Sequence, residues 1–288
     1  MSETSQYMTT REVAALMRVK ERKVYDLVAK GDIPFSKTTG KLLFPKDAVL
    51  AWIDKDSLPA GKTQLTISGS HDPLLETVLR QTGIDIATLW NGSTAGLERV
   101  VKGNASASVL HIFCPADHSW NIDAVKVACS EKDVVLLHWA NRSRGLVMTT
   151  SAAENVTSLS AIRPWRLSQR QVGTGAQILF DYLLAEVGLK KDQLNLGVAC
   201  HTELESVLTL LEGQADIAFG LQYFAAKYNL GFLPLVTESV DILIDRKMVF
   251  EPAFQTLLAF CHTDSFTELV SDFDGYDTAG LGQVRFNA

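Results

Sequence analysis

Four short loops in this chain carry the residue types from which an anion site is built. They are Ser68-Gly69-Ser70-His71-Asp72, Asn91-Gly92-Ser93-Thr94-Ala95-Gly96, Gln171-Val172-Gly173-Thr174-Gly175-Ala176-Gln177 and Cys200-His201-Thr202. Each follows a short β-rich apolar run and precedes a pattern of helical spacing. Glycine lets the backbone come close to a ligand, hydroxyls donate hydrogen bonds, and the first N–H groups of a helix lack an internal partner and carry partial positive charge. Such helix ends bind anions. In open α/β sheets ligands collect beyond the C-terminal ends of the strands, so four such loops can converge on one small anion. The expected ligand contacts are Ser70, His71, Ser93, Thr94, Gly173, Thr174, Gly175 and His201, with the backbone N–H groups of 92–94 and 173–175.

Other chemistries lack the residues to carry them. No Gly-x-x-x-x-Gly-Lys, Gly-x-Ser-x-Gly or His-Glu-x-x-His occurs, which argues against phosphoryl transfer, a serine hydrolase or a metalloprotease. The expectation is a binding protein that is not an enzyme and has no cofactor. His111-x-x-Cys114-x-x-x-His118 is interrupted by Pro115 and falls short of the four ligands of structural zinc, so no metal is expected. The four cysteines are scattered without Cys-x-x-Cys spacing and read as reduced thiols. Phe219, Tyr223, Phe224 and Tyr228 recur at helical spacing and read as core.

The elements that position these loops follow from pattern. A chain of 288 residues, 47% hydrophobic and 21% charged, has room for two domains with real cores. It starts without a signal-peptide pattern, and no apolar run approaches the ~20 residues of a membrane span, so a cytoplasmic location is expected. Charge divides the chain. Residues 1–60 hold ten Lys/Arg against eight acids, while the remainder holds 17 against 25.

In the head, Thr9 and Glu12 form a capping box for a helix over 10–17 with Val13, Leu16 and Met17 as its apolar stripe. After Arg18-Val19-Lys20 a second helix carries Val24, Leu27 and Val28 and ends at Gly31. Residues 35–44 read as a hairpin with basic residues near its tip, and Pro45 opens a third helix through Trp52. This pattern, over about residues 7–54, resembles the excisionase-like and MerR-like winged helix-turn-helix domains. The resemblance implies that the second helix enters the major groove of double-stranded DNA with Lys20, Arg22, Lys23 and Tyr25, and that Lys37, Thr38 and Lys41 of the wing meet phosphates or the minor groove. One such domain makes few contacts, so a homodimer on two half-sites is expected.

After the linker-like 57–62, strands and helices alternate: Leu65–Ile67, Ile84–Leu89, Val109–Phe113, Val134–Leu137 and Ile162–Leu167 read as strands, and the fold class is α/β. From about residue 65 to 262 the chain resembles the periplasmic-binding-protein-like domain of molybdate- and tungstate-related regulators and of some molybdopterin-biosynthesis proteins. The stretches that carry the likeness are Gly92–Leu97 with Lys102-Gly103, Arg142-Ser143-Arg144-Gly145-Leu146, Arg170–Gly175 with Leu179-Phe180-Asp181-Tyr182, Glu212–Asp216, and Leu230–Leu235 with Glu238. The resemblance implies a two-lobed, type 2 fold around a cleft, with domains at 1–60 and 63–288, the first lobe about 63–146 plus 240–288 and the second about 147–239. His201 opens a helix at a matching position of that family. Where the family pattern runs Gly-x-Gly-Thr-Arg, this chain has Gln177 in place of the Arg. That loss points to a monovalent anion, such as formate, nitrite or nitrate, over molybdate, tungstate or sulfate. The function expected is a ligand-responsive transcriptional regulator. The alternatives are a protein of molybdenum-cofactor biosynthesis, a molybdate/tungstate-binding regulator, or an architectural DNA protein with an unliganded body.

Overall fold

The computed structural model describes residues 6–37, 40–56 and 65–288, and the chain divides into two compact units, Met1–Thr63 and Gln64–Ala288. In the first unit, α1 (Thr10–Leu16) is held by the Thr9/Glu12 capping box and α2 (Glu21–Lys30) ends on Gly31 with φ 73°. A hairpin closed by Ser36 pairing with Leu43 leads into β2 (Phe44–Pro45), which pairs antiparallel with β1 (Tyr7–Met8), and α3 (Lys46–Asp56) follows. Val13, Ala14, Val24, Ile33, Phe44 and Val49 form the core. They come from α1, α2, the segment after it, β2 and α3, so the small unit has one closed apolar centre.

The second unit is built on one ten-stranded mixed sheet. Its chain order begins β3 (Thr66–Gly69), α4 (Pro73–Thr82), β4 (Ala87–Trp90), α5 (Ser93–Val101) and β5 (Ala107–Leu110). A small hairpin, β6 (Phe113–Cys114) and β7 (Ser119–Trp120), and α6 (Ile122–Ala128) lead to β8 (Val134–Met148). There follow α7 (Thr150–Ala153), β9 (Arg166–Arg170), α8 (Gly175–Glu186), β10 (Asn195–Cys200), α9 (Glu203–Leu211), β11 (Ile217–Leu221), α10 (Gln222–Lys227) and β12 (Gly231–Asp245). The chain finishes with α11 (Pro252–Phe260), α12 (Asp264–Ser271), β13 (Tyr276–Asp277) and β14 (Val284–Asn287).

Two 15-residue strands, β8 and β12, pair antiparallel along their whole length and run through both lobes. At one end β12 takes β5 as its other neighbour, followed by the parallel β3 and β4, while β14 and β13 pair with β8. At the other end β8 takes β11, followed by the parallel β9 and β10. The change of neighbour on β8 falls between Arg142 and Arg144, just ahead of the lobe boundary expected at 146. Each half of the sheet is covered on both faces. Leu74, Leu75, Phe254 and Leu257 pack on one face of the first half and Leu97, Val100 and Val125 belong to the core on the other. Leu179, Phe180 and Phe219 share one core of the second half, and Val207, Leu210 and Phe224 share the other.

Two expected strands lie elsewhere. The run at 84–89 enters the sheet only at Ala87, and 162–167 is a 3-10 turn at Leu159–Ile162 followed by a strand from Arg166. Pro164 explains the second shift, because it has no N–H for a sheet ladder. Gly96 has a packing reason: a Cβ there would overlap the Gly69 backbone, so β3 and α5 touch main chain to main chain.

Candidate functional site

The loops after β3, β4, β9 and β10 open on one cleft of about 240 Å³. The first lobe lines it with Ser70, His71, Trp90, Asn91, Gly92 and His111. The second contributes Arg170, Gln171, Thr174, Gly175, Ala176, His201, Thr202 and Glu203. Of the expected contacts, Ser70, His71, Thr174, Gly175 and His201 are therefore brought together. Ser93 stands just behind, while Thr94 and Gly173 do not line the cleft.

The polar groups differ in what they leave for a ligand. Ser93 Oγ accepts the His111 N–H at 3.0 Å and lies 2.8 Å from Ser70 Oγ. The two hydroxyls share one proton between them, and Ser93 Oγ, which also accepts the His111 N–H, ties the loops after β3, β4 and β5 together. Thr174 caps α8 through Gln177 N–H, and its own proton is directed at the Gln171 carbonyl at 2.9 Å, so its hydroxyl is not the anion donor expected. The Gly92 N–H is committed to the Gly69 carbonyl. The start of α5 has no side-chain cap, and the first N–H groups of α8 and α9 also face this end of the sheet. His201 Nδ1 accepts from Gln171 Nε2 at 2.8 Å, and His71 holds Glu76 at 2.9 Å while its ring meets Trp90 edge-on at 5.6 Å.

Gln177, which stands where the family pattern has Arg, does not line the cleft. Its amide is buried, its Oε1 accepts the Arg170 N–H at 2.9 Å and its Nε2 donates to Asp181 at 2.8 Å. A guanidinium reaches the cleft from Arg170 instead. Its Nη2 donates to the His201 carbonyl at 2.9 Å, and its Nε and Nη1 have no hydrogen-bond acceptor. Burial pulls this guanidinium below its ordinary value. Beside it, Glu203 gives Oε1 to Arg144 at 2.6 Å and leaves Oε2 without a donor. Burial alone would raise the Glu203 carboxyl, yet Arg144 and Arg170 outweigh it and hold it below the usual range.

The cleft floor continues into a charge network buried on the hinge strands. Arg142 reaches Asp72 at 2.8 Å and Glu238 at 2.5 Å, and Arg144 reaches Glu238 at 2.9 Å. His111 Nδ1 lies 3.2 Å from Glu238, and Tyr276 donates to Asp72 at 2.9 Å. The Glu238 carboxyl sits well below the carboxylate range, because the two arginines overcome a burial that would raise it. Arg142, Arg144 and Arg170 thus face Asp72, Glu203 and Glu238, and the balance is neutral. Sequence pattern had singled out Arg142, Arg144 and Glu238 without a role. Arg170, Glu203, Trp90 and His111 went unnoticed as cleft residues, since no periodicity marks where a strand end points.

In the first unit a groove of about 790 Å³ runs between the start of α1, α2 and the hairpin, with Arg11, Tyr25, Phe35, Lys37 and Lys41 on its walls and Glu21 as its acid. Tyr25 is 51% exposed. At about 100° per residue, Arg22 stands some 60° from Tyr25 around α2 and Lys23 about 160° from it. Lys20 is the N-cap residue of α2 and makes no side-chain cap bond. Thr38 lies outside the described residues.

The chain belongs to the PBP superfamily, whose domain it matches over residues 76–262. Residues 7–57 match a helix-turn-helix domain, so a DNA-binding module precedes a periplasmic-binding-protein-like one. The Bacillus subtilis (strain 168) protein YvgK, described as uncharacterized, is 24% identical over 310 residues that cover 99% of each chain. Among solved structures, an ABC-transporter substrate-binding protein from Clostridium perfringens with bound phosphate is similar over 73% of this chain and 98% of its own, with TM-score 0.53 and 13% identity. The CcmR regulatory domain of Synechocystis PCC6803 in complex with 2-PG aligns over 73% of this chain and 97% of its own, with TM-score 0.50 and 11% identity. At those identities the likeness is one of fold. Among the described residues no helix is long and apolar enough to cross a membrane.

Proposed function

We propose that this protein is a cytoplasmic, one-component transcriptional regulator in which a small anion bound between the two lobes alters DNA binding by the winged head. It is a binding protein without a catalytic step, and it acts as a homodimer. The observation that carries this reading is the meeting of Arg170 and the starts of α5, α8 and α9 in one cleft, on a chain that also carries a helix-turn-helix domain. The anion is monovalent. The reason is that three carboxylates equal the three arginines of the buried network, so an entering charge meets no surplus of arginine charge; the free Arg170 donors and helix ends worth roughly half a charge each suffice for one negative charge more readily than two. That ground replaces the loss of an arginine at 177, and it leaves molybdate, tungstate and sulfate disfavoured.

A ligand that prefers one lobe arrangement shifts the lobe equilibrium by its differential affinity, and that free energy is all that is available to change the head. The test is a melting-temperature screen of the full chain against small anions, repeated with Arg170→Met and followed by DNA binding with and without each hit. Monovalent anions raise the melting temperature of the wild-type chain, and Arg170→Met weakens them at least tenfold, the value of one charge-assisted hydrogen bond. Tight molybdate or tungstate binding with no monovalent response would refute the charge argument.

A further inference from the structure

Resting on the anion-sensor reading of the cleft, we infer that its ligand is an organic hydroxy acid of about six to eleven heavy atoms, an anion that brings its own neutral hydrogen-bond donor. Three observations lead there. The first is size. The cleft of about 240 Å³ between the lobes has room for a ligand larger than formate or nitrate. The second is the unmatched pair of polar groups on the second lobe. Arg170 and Glu203 line the cleft, and among the described residues Arg170 Nε and Nη1 lack acceptors and Glu203 Oε2 lacks a donor; all three atoms are covered by protein, so a ligand reaches them as these two side chains turn toward the cleft. A simple carboxylate supplies acceptors to Arg170 but leaves the Glu203 oxygen facing another lone pair. A hydroxyl supplies the missing proton, and the cost of a buried unsatisfied acceptor is what makes such a site reject the analogue without it.

The third is charge. Glu203 already holds Arg144 at 2.6 Å with Arg170 at 3.7 Å, so an ammonium donor would approach two guanidinium groups, whereas a hydroxyl adds no charge. Trp90 gives the carbon part of such an acid an apolar face on the first lobe.

The experiment is calorimetry on the full chain with matched acids that differ only by the hydroxyl: lactate against propionate and mandelate against phenylacetate, with nitrate, formate and sulfate alongside. The hydroxy acid of at least one pair binds ten times tighter or more than its partner. Equal binding within each pair, at measurable affinity, overturns the hydroxyl inference and leaves the anion sensor standing; absence of binding by every compound overturns the anion reading itself. Glu203→Gln supplies an independent check, because it removes one negative charge beside Arg144 and Arg170. The variant loses the hydroxyl preference and gains sulfate affinity, and an unchanged preference in a variant that melts as a folded protein also overturns the assignment. Should the variant fail to fold, the wild-type pairs decide alone.

Discussion

Glu238 is fully buried between Arg142 and Arg144 on the strands that join the lobes, and its loss would leave two buried guanidinium groups without their shared partner. Glu238→Gln costs about 3–5 kcal/mol of stability, the range for breaking one side of a buried pair, as measured by denaturant unfolding. Glu203 and Glu238 both titrate below their ordinary value of 4.5 in the folded chain. A carboxyl lowered on folding contributes its full stabilisation above the unfolded value and loses it as the pH falls through the folded one. The melting temperature is therefore flat with respect to these groups from neutral pH down to about 5 and declines below that. A melting temperature that rises on acidification below 5 would contradict the network. On the head, Arg22 neighbours the Tyr25 side of α2 that forms the groove, while Lys23 points away. Arg22→Ala weakens DNA binding by about 1–3 kcal/mol, and Lys23→Ala changes it less and mainly through the salt dependence. Equal losses in a titration of both variants would show that the groove is not the DNA face.

At the scale of elements, the four loop-to-helix junctions were readable because their signals are local: small polar residues, then an apolar stripe at helical spacing. The same holds for the Thr9 capping box and for the Gly31 stop. What could not be read was direction. Thr174 and Gln177 have the right types for an anion loop, yet both are committed to the internal bonding of α8, and Arg170 reaches the cleft because β9 begins after Pro164 and ends there. Gly175 shows how an element records a distant partner. Its φ needs no glycine, but a Cβ would stand 3.1 Å from His111 Cε1 and 3.4 Å from Nε2, across the cleft on the other lobe. A larger side chain at this position holds the lobes apart. Gly175→Val accordingly leaves the unliganded melting temperature within a few degrees, since valine and glycine differ in helix propensity by only about 0.3 kcal/mol, and it abolishes the ligand-induced rise. Wild-type ligand response in that variant would show that the His111 contact does not limit closure.

For the molecule as a whole, the winged head is small and offers few phosphate contacts, and two copies on two half-sites raise the affinity that one lacks. Light scattering of the full chain should give twice 31.6 kDa, and a monomer both free and on DNA would remove the dimer. A last consequence lies in the threading of the two long strands. The first lobe takes its strands from 65–140 and again from 240–288, whereas residues 142–239 of the second lobe are continuous. During synthesis the head emerges with its own core complete, the second lobe follows, and the first lobe cannot close until residues 240–288 leave the ribosome. A nascent or prematurely terminated chain thus carries a finished DNA-binding module and an incomplete periplasmic-binding-protein-like domain. Quality control of incomplete chains bears, for this architecture, on occupancy of DNA as well as on solubility.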